Sequence, residues 1–380
     1  MASLLLKYIS PPQVDLSPDY DGLEYRWKGL TFRPAFFQLE PFLLAGVVVY
    51  ALLYIWGKRS NEARVTKWYE THLPILQAQF SKPTAQDLIR DGNSDWFIFS
   101  TGRRALTSLH TTFTIRPRHD LLQYLFQVGR GLIELDYQPY DEVELDFTFR
   151  DMPGKENAVP DCVWAIVAKD EIKGIKSKRW DLSFAKTADL SSLPPSLTVM
   201  SEFADVTTTL LKPIGSLDLP AVLSNPSILP YFRSLSLTDQ PRRRPALPTP
   251  AAERTRHLIL SLALPPSSDA AATIPLLTAA LQLVDVIAGE GKNTLRGGLN
   301  TQLRPETRVK LKKKREEVDK EIRDDAAKEK REEQAEEKAA AKKKAEQEKL
   351  SRLSAAEQKK ALEREKKRAM RKTQGRVKMR

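Results

Sequence analysis

One apolar run near the N-terminus stands apart from the rest of the hydrophobic pattern. Residues 41–57 contain no charged side chain, and a membrane-spanning helix needs about 17–25 such residues. A buried helix of a soluble domain can show the same pattern. However, aromatic residues such as Trp56 end the run and Lys58 and Arg59 follow at once, as in the aromatic belt and cytosolic flank of a span. The pattern therefore predicts a transmembrane helix over residues 41–57.

The side chains predicted to anchor the chain in lipid are Pro41, Phe42, Leu43, Leu44, Val47, Val48, Val49, Leu52, Leu53, Ile55 and Trp56. Charges on either side predict the orientation, because cytosolic flanks carry an excess of Lys and Arg. Four basic residues lie between positions 58 and 67, whereas acidic residues dilute the basic ones before the run. We therefore expect residues 1–40 to be a short lumenal segment and the chain after Gly57 to be cytosolic. Because only three leucines precede Lys7, we expect an uncleaved anchor rather than a cleaved signal peptide.

Residues 58–300 mix strand-like and helix-like patterns. Residues 143–149 alternate apolar with polar side chains, which is typical of a half-buried strand. Further strands are predicted at 96–99, 111–115, 162–168, 196–200 and 256–263, and helices at 66–80, 120–128, 201–211 and 271–288. This mixture predicts one cytosolic globular domain of the α+β (or α/β) class around a single sheet. The strand order does not follow from the pattern.

Residues 238–250 hold four prolines and three consecutive arginines. Such a composition does not build a packed element, so we expect a flexible loop inserted in the domain. Arg242, Arg243 and Arg244 are either RNA or lipid contacts or simply the charged part of a solvated loop.

Residues 301–380 are predicted to form a long charged helical tail with a basic tip. Lys, Glu, Arg, Ala and Gln dominate, and Pro305 suits a first helical turn. Acidic residues four positions before basic ones support such a helix, as in Glu316 and Lys320. Apolar seam positions fade after Ile322, so the pattern favours a single helix over a sustained coiled coil. At 1.5 Å per residue, residues 304–353 would span on the order of 70 Å.

The net charge of +12 lies entirely in this tail. Between Arg308 and Arg380, 28 Lys and Arg stand against 16 Asp and Glu, which leaves 33 of each sign in residues 1–307. No acidic residue follows Glu365, and a purely cationic tip gains affinity for phosphate backbones by releasing counterions. The alternatives are anionic lipid for the tip and plain solvation for the mixed-charge part. The candidate contacts to ribosomal RNA are Lys312, Lys313, Lys314, Arg315, Lys366, Lys367, Arg368, Arg371, Lys372, Arg376, Lys378 and Arg380.

Catalytic chemistry finds little support in the sequence. Cys162 is the only cysteine, which excludes an internal disulfide and indicates a reducing compartment. The four histidines are scattered without metal-ligand spacing. Residues 289–294 depart from a phosphate-binding loop and follow a helix, so a helix C-cap explains their glycines. Acidic residues at 141, 142, 144, 146 and 151 are interpreted as a solvated polar face. We therefore predict a protein that is not an enzyme and has no cofactor or metal.

Three stretches give the chain a resemblance to a known family. They are residues 303–310 with 314–318, residues 366–370 with 376–380, and, more weakly, residues 96–104. Together with the layout of one span, a globular domain and a terminal charged helix, they resemble the calumin family. This family is the coiled-coil-domain-containing subunit of the PAT complex in the multipass translocon of the endoplasmic reticulum. The similarity covers about residue 36 to the end.

The resemblance implies a role in the biogenesis of multipass membrane proteins. The implied partners are the ribosome, the Sec translocon, a small membrane partner subunit, nascent multipass proteins and the lipid bilayer. Calcium binding, which belongs to an acidic lumenal region in animal members, is not carried over, because residues 1–40 hold five acidic against four basic residues. The alternative function is a membrane-anchored tether for RNA or anionic lipid that is unrelated to insertion.

Overall fold

The computed structural model describes residues 22–27, 30–34, 40–84, 87–134, 137, 139–151, 158–290 and 297–351. They divide into two compact units, one formed by the described parts of residues 1–243 and 254–311 and the other by those of residues 244–253 and 312–380. The predicted basic tip after Glu365 and the N-terminal 21 residues lie outside the described residues.

The strands, in chain order, are β1 (Tyr25–Trp27), β2 (Leu30–Phe32), β3 (Ile89–Arg90), β4 (Asp95–Ser100), β5 (Leu106–Thr114), β6 (Glu142–Phe149), β7 (Trp164–Ala168), β8 (Lys186–Ala188), β9 (Leu197–Ser201), β10 (Phe232–Thr238) and β11 (His257–Ala263). The α-helices are α1 (Glu40–Gln79), α2 (Leu121–Ile133), α3 (Ile172–Lys178), α4 (Ala204–Leu211), α5 (Leu219–Leu223), α6 (Ile274–Ala288), α7 (Leu299–Gln302) and α8 (Pro305–Ser351).

Nine of these strands form one sheet in the order β3-β4-β5-β6-β11-β10-β7-β9-β8. Every neighbouring pair is antiparallel, so the mixed α and β prediction is confirmed as α+β, and the α/β alternative with its parallel sheet is wrong. Strands β1 and β2 pair separately as a short hairpin. The predicted alternation along β6 is present, with Val143, Leu145, Phe147 and Phe149 buried.

The core lies between this sheet and helices that pack on it. Helix α6 contributes ten buried residues and ends at Gly289, whose positive φ of 70° is the left-handed cap that the sequence predicts. Strand β10 was not predicted, and it takes Thr238 out of the proposed loop. Residues 239–250 form neither a helix nor a strand.

Helix α1 joins two elements that the sequence predicts separately. The sequence predicts a span over 41–57 and a separate helix over 66–80, but one uninterrupted helix of 40 residues covers both. The intervening residues include good helix formers such as Lys58, Arg59 and Ala63, so nothing between the two predicted segments forces a break. The candidate anchor is therefore continuous with an element of the domain.

Candidate membrane anchor, its junction and the basic residues

The first part of α1 exposes apolar side chains on all its sides. Of the predicted anchor residues, Phe42, Leu43, Leu44, Val47, Val48, Val49, Leu52, Ile55 and Trp56 are exposed large hydrophobic residues, Pro41 is exposed and Leu53 is half-buried. A helix that is apolar all round belongs in a protein core or in a membrane. Because the domain does not cover these side chains, their placement favours lipid.

Among the described residues, a second segment is also long and apolar enough to cross a membrane. It runs from Ser267 to Ala288 and includes α6, but most of it is buried in the domain. The core of the sheet domain accounts for this segment, which leaves Pro41–Gln79 as the candidate that holds the anchor.

From Gly57 onward, α1 changes from an all-round apolar helix to a one-sided one. Its buried positions are Gly57, Asn61, Val65, Trp68, His72 and Leu76. Steps of three and four residues place them along one helix face. The change at Gly57 coincides with the predicted end of the span, so the part of α1 that packs on the domain begins at this residue.

Gly57 lets the loop before α2 approach the helix backbone. A Cβ atom at this position would lie 2.1 Å from the carbonyl oxygen of Arg118, far inside contact distance. One turn earlier, the Tyr54 ring meets the His119 ring edge to face, with centroids 5.9 Å apart. The end of the candidate span is therefore held directly against residues 118–119.

Asn61 fastens the next turn of the helix to two loops. Its side-chain amide donates hydrogen bonds to the carbonyl oxygens of Asn93 (3.1 Å) and Arg116 (3.0 Å). Its side-chain oxygen accepts a hydrogen bond from Arg118 Nη1 at 3.0 Å. This fully buried amide thus uses both its donor and its acceptor groups to fix the helix on the domain.

Asp141 is the centre of the junction. Its carboxylate accepts hydrogen bonds from Arg64 (2.8 Å), from both terminal nitrogens of Arg118 (2.9 and 2.7 Å) and from the Arg116 backbone amide (3.0 Å). Burial by itself raises the pKa of the Asp141 carboxyl, but the hydrogen bonds and charges of these partners outweigh it and lower the pKa. The interpretation of Asp141 as a solvated residue is wrong, because only 6% of its side chain is exposed.

His72 closes the far end of the same helix face. Its ring stacks on Trp68 with centroids 3.9 Å apart, Nδ1 donates to the Trp68 carbonyl at 2.8 Å, and Nε2 accepts from the Thr273 hydroxyl at 3.0 Å. Burial lowers the pKa of His72 to about 4, against a smaller opposing effect of the Trp68 hydrogen bond. The neutral ring is therefore part of the core, and in the described residues no group of three metal-binding side chains occurs.

The predicted basic contacts on α8 differ in accessibility. Lys312 and Lys313 are exposed, Lys314 is half-buried beside Glu317 at 3.5 Å, and Arg315 is only 3% exposed. Lys312 and Lys313 are thus the accessible members of this group. The other eight, from Lys366 to Arg380, lie outside the described residues.

Acidic side chains of β6 and arginines of residues 238–250 have partners within the chain and are not simply solvated. Arg242 donates to both carboxylate oxygens of Glu144, at 2.8 and 2.5 Å. His257 lies 2.8 Å from Asp146, and Arg244 pairs with Asp325. Two of the three consecutive arginines are therefore engaged within the chain, while Arg243 is exposed.

Comparison with known proteins places these features in a family. A model of the family PAT complex subunit CCDC47 matches residues 36–372. A UPF0674 endoplasmic reticulum membrane protein of Schizosaccharomyces pombe is 28% identical over 223 residues, which cover 55% of this chain and 56% of that protein. The PAT complex subunit CCDC47 of Homo sapiens is 23% identical over 186 residues, or 45% of this chain and 36% of the human protein.

The corresponding protein of Xenopus laevis is 22% identical over 276 residues, which cover 66% of this chain and 53% of the frog protein. The matches thus span between about a third and just over half of the length of these relatives. The family match begins before the candidate anchor and continues past the described end of α8. The chain belongs to the family of the PAT complex subunit CCDC47.

Proposed function

We propose that this chain is a non-enzymatic, single-pass component of the endoplasmic reticulum membrane that assists the insertion and folding of multipass membrane proteins. Residues 1–40 lie in the lumen, and the domain and the tail after Gly57 lie in the cytosol. The observation that carries the proposal is the family match across residues 36–372, which includes the exposed apolar part of α1. A relative named as an endoplasmic reticulum membrane protein supports the location.

The junction supports a role in which the domain is held at the membrane surface. Asn61, Arg64, Arg118 and Asp141 connect the helix that enters the lipid with the loops of the sheet domain. Because these groups are largely buried and mutually hydrogen-bonded, the domain cannot swing freely on a linker. A domain held in this way keeps a constant position relative to its span. From that position it can contact a ribosome and the Sec translocon, and the span can contact the small membrane partner subunit.

A second candidate function is a membrane-anchored tether for RNA or anionic lipid. The observation that favours it is the cationic tip, in which eight basic residues follow Glu365 without an acidic one. In our proposal the tip contacts ribosomal RNA together with Lys312 and Lys313. Both candidate functions use the charged tail. Identifying what the tip binds, ribosomal RNA or anionic lipid, distinguishes our proposal from a lipid tether.

Ribosome binding should become less salt-sensitive when the tip loses charge. We expect the triple variant Lys366→Gln, Lys367→Gln and Arg368→Gln to lower the slope of log affinity against log salt by up to about 2 to 3, since each phosphate contact contributes about 0.7–0.9. Co-sedimentation of the detergent-solubilised chain with ribosomes over a salt series measures this slope.

The matched control removes three positive charges from the mixed part of α8, where Lys328, Lys330 and Arg331 are exposed. Replacing these three by Gln should leave the slope unchanged. Equal slopes for the unmodified chain and the tip variant, with weaker binding of the tip variant to anionic vesicles, would instead assign the tip to lipid.

A further inference from the structure

Helix α2 exposes an apolar face that the domain leaves uncovered. Leu122, Leu125, Phe126, Leu132 and Ile133 are 72%, 55%, 68%, 80% and 84% exposed, and the helix has no buried residue. Their spacing of three, four and seven residues places them along one side of the helix. Soluble proteins expose isolated apolar residues routinely, but a continuous stripe of five marks an interaction surface.

The other side of α2 rests on the domain, so the stripe points away from the protein. Tyr124, Gln127 and Gly131 are half-buried, and a Cβ at Gly131 would lie 3.3 Å from the carbonyl oxygen of Tyr137. The helix is also firmly started, because the Asp120 carboxylate accepts hydrogen bonds from the amides of Leu122 and Gln123 at 3.0 and 3.1 Å. At the other end, the backbone amide of Glu134 donates to the Arg130 carbonyl oxygen at 2.8 Å, so the stripe lies on a helix that is hydrogen-bonded at both ends.

The position of α2 identifies what covers the stripe. Its cap, Asp120, follows directly after residues 118–119, which contact Gly57 and Tyr54 at the end of the candidate span. Helices α1 and α2 also contact each other. The stripe thus begins beside the end of the candidate span. If the span crosses the bilayer, the membrane surface lies at the same height as the start of α2.

The polar groups of α2 suit the headgroup region. Its one charged side chain, Arg130, forms an ion pair with Glu134 at 2.8 Å and remains 45% exposed. Lys58 and Arg59 stand just beyond the end of the span on α1. An amphipathic helix in an interface buries its apolar side about 5–10 Å into the boundary of the acyl chains and keeps its polar side among the headgroups.

We propose that α2 is an interfacial helix whose stripe (Leu122, Leu125, Phe126, Leu132 and Ile133) lies in the lipid of the leaflet that faces the domain. The inference rests on the proposed membrane anchor. With α1 as one attachment and α2 as a second, the domain is fixed against rotation about the axis of the span, because two contacts define its orientation where one does not.

Single cysteines labelled with an environment-sensitive fluorophore test the placement. The label is introduced in the full chain at Leu125, Phe126 or Ile133, at Leu52 within the anchor, and at the exposed Lys212 of the domain. Cys162 is buried, and the unmodified chain treated with the same reagent provides the blank. The labelled proteins are reconstituted, without other proteins, in vesicles that contain nitroxide-labelled lipid.

We expect the labels at 125, 126 and 133 to show a blue shift and a loss of fluorescence comparable to the label at Leu52, whereas the label at Lys212 shows neither. If Leu52 is quenched and the α2 labels behave like Lys212, the interfacial helix is wrong and the anchor stands. A blue shift at 125, 126 and 133 without quenching by lipid would show a protein surface, such as a second copy, on the stripe and would also overturn the proposal. If the label at Leu52 is not quenched, the proposed anchor is wrong, and the interfacial helix that rests on it is overturned as well.

Discussion

A Val48→Arg variant should fail to remain integrated in the membrane. Val48 lies in the middle of the uncharged run and is 50% exposed on the apolar part of α1. An arginine at the centre of a span costs about 2.5–3.5 kcal/mol on insertion scales, which corresponds to roughly a hundredfold in an equilibrium. The run has little reserve, because its length is near the minimum for a span. Extraction of microsomes with alkaline carbonate should release most of the variant.

Two controls make this result specific. Val48→Leu preserves the apolar character and should stay in the pellet. Ala63→Arg places the same charge on the same helix but beyond Gly57, at an exposed position, and it should also stay in the pellet. If Val48→Arg resists extraction as well as the unmodified chain does, residues 41–57 are not the anchor.

An Asp141→Asn variant should lose a large part of the domain's stability. The substitution keeps the size of the side chain but leaves the charges of Arg118 and Arg64 without their partner, and the side chain of Arg118 is only 14% exposed. Breaking a buried ion pair on one side costs about 3–5 kcal/mol. Because Arg64 is 31% exposed and regains some hydration, we expect about 3 kcal/mol, a loss of roughly 6–12 °C in Tm for a domain of this size.

The pH dependence gives this prediction a second test. The pKa of Asp141 is lowered in the folded protein, so its stabilising effect is complete above its unfolded pKa of about 4 and disappears as the pH falls through the folded value. The Tm difference between the unmodified chain and Asp141→Asn should therefore be constant near neutrality and shrink only in acid. Glu62→Gln, an exposed change on the same helix, should have little effect. Equal Tm values for Asp141→Asn and the unmodified chain would contradict the role of the junction.

Local patterns in the sequence were sufficient where burial follows a simple period. The alternation at residues 143–149 predicted β6, and the uncharged run at 41–57 predicted the exposed apolar part of α1, because each signal lies within a few consecutive residues. Strand β10 is missed by the sequence pattern, because two of its buried positions are the polar residues Ser234 and Ser236 and interrupt the run of apolar side chains. The predicted loop begins one residue too early, because Thr238 still pairs with His257 at the end of β10.

The hydrogen bonds around Asp141 could not be predicted from the sequence, because the residues that form them are far apart in the chain. Arg64 and Asp141 are 77 residues apart, and only the pairing of β5 with β6 and the packing of α1 bring them together. The helix at 120–128 was predicted, but not the side that it exposes. That side depends on which residues of α2 pack on the domain, among them Tyr124 and Gly131, and this packing forms only in three dimensions.

The most direct test of the proposed function is to determine which ribosome-bound nascent chains co-purify with this protein. Truncated messages stall ribosomes on microsomes that contain the tagged chain. One message encodes part of a multipass protein and the other a segment of a secreted protein of equal length, and the stalled ribosomes are then isolated. The proposed function predicts that the tagged chain is enriched with the multipass nascent chain and is near background with the secreted one. Equal recovery with both nascent chains, or recovery with neither, would contradict a role in the insertion of multipass membrane proteins.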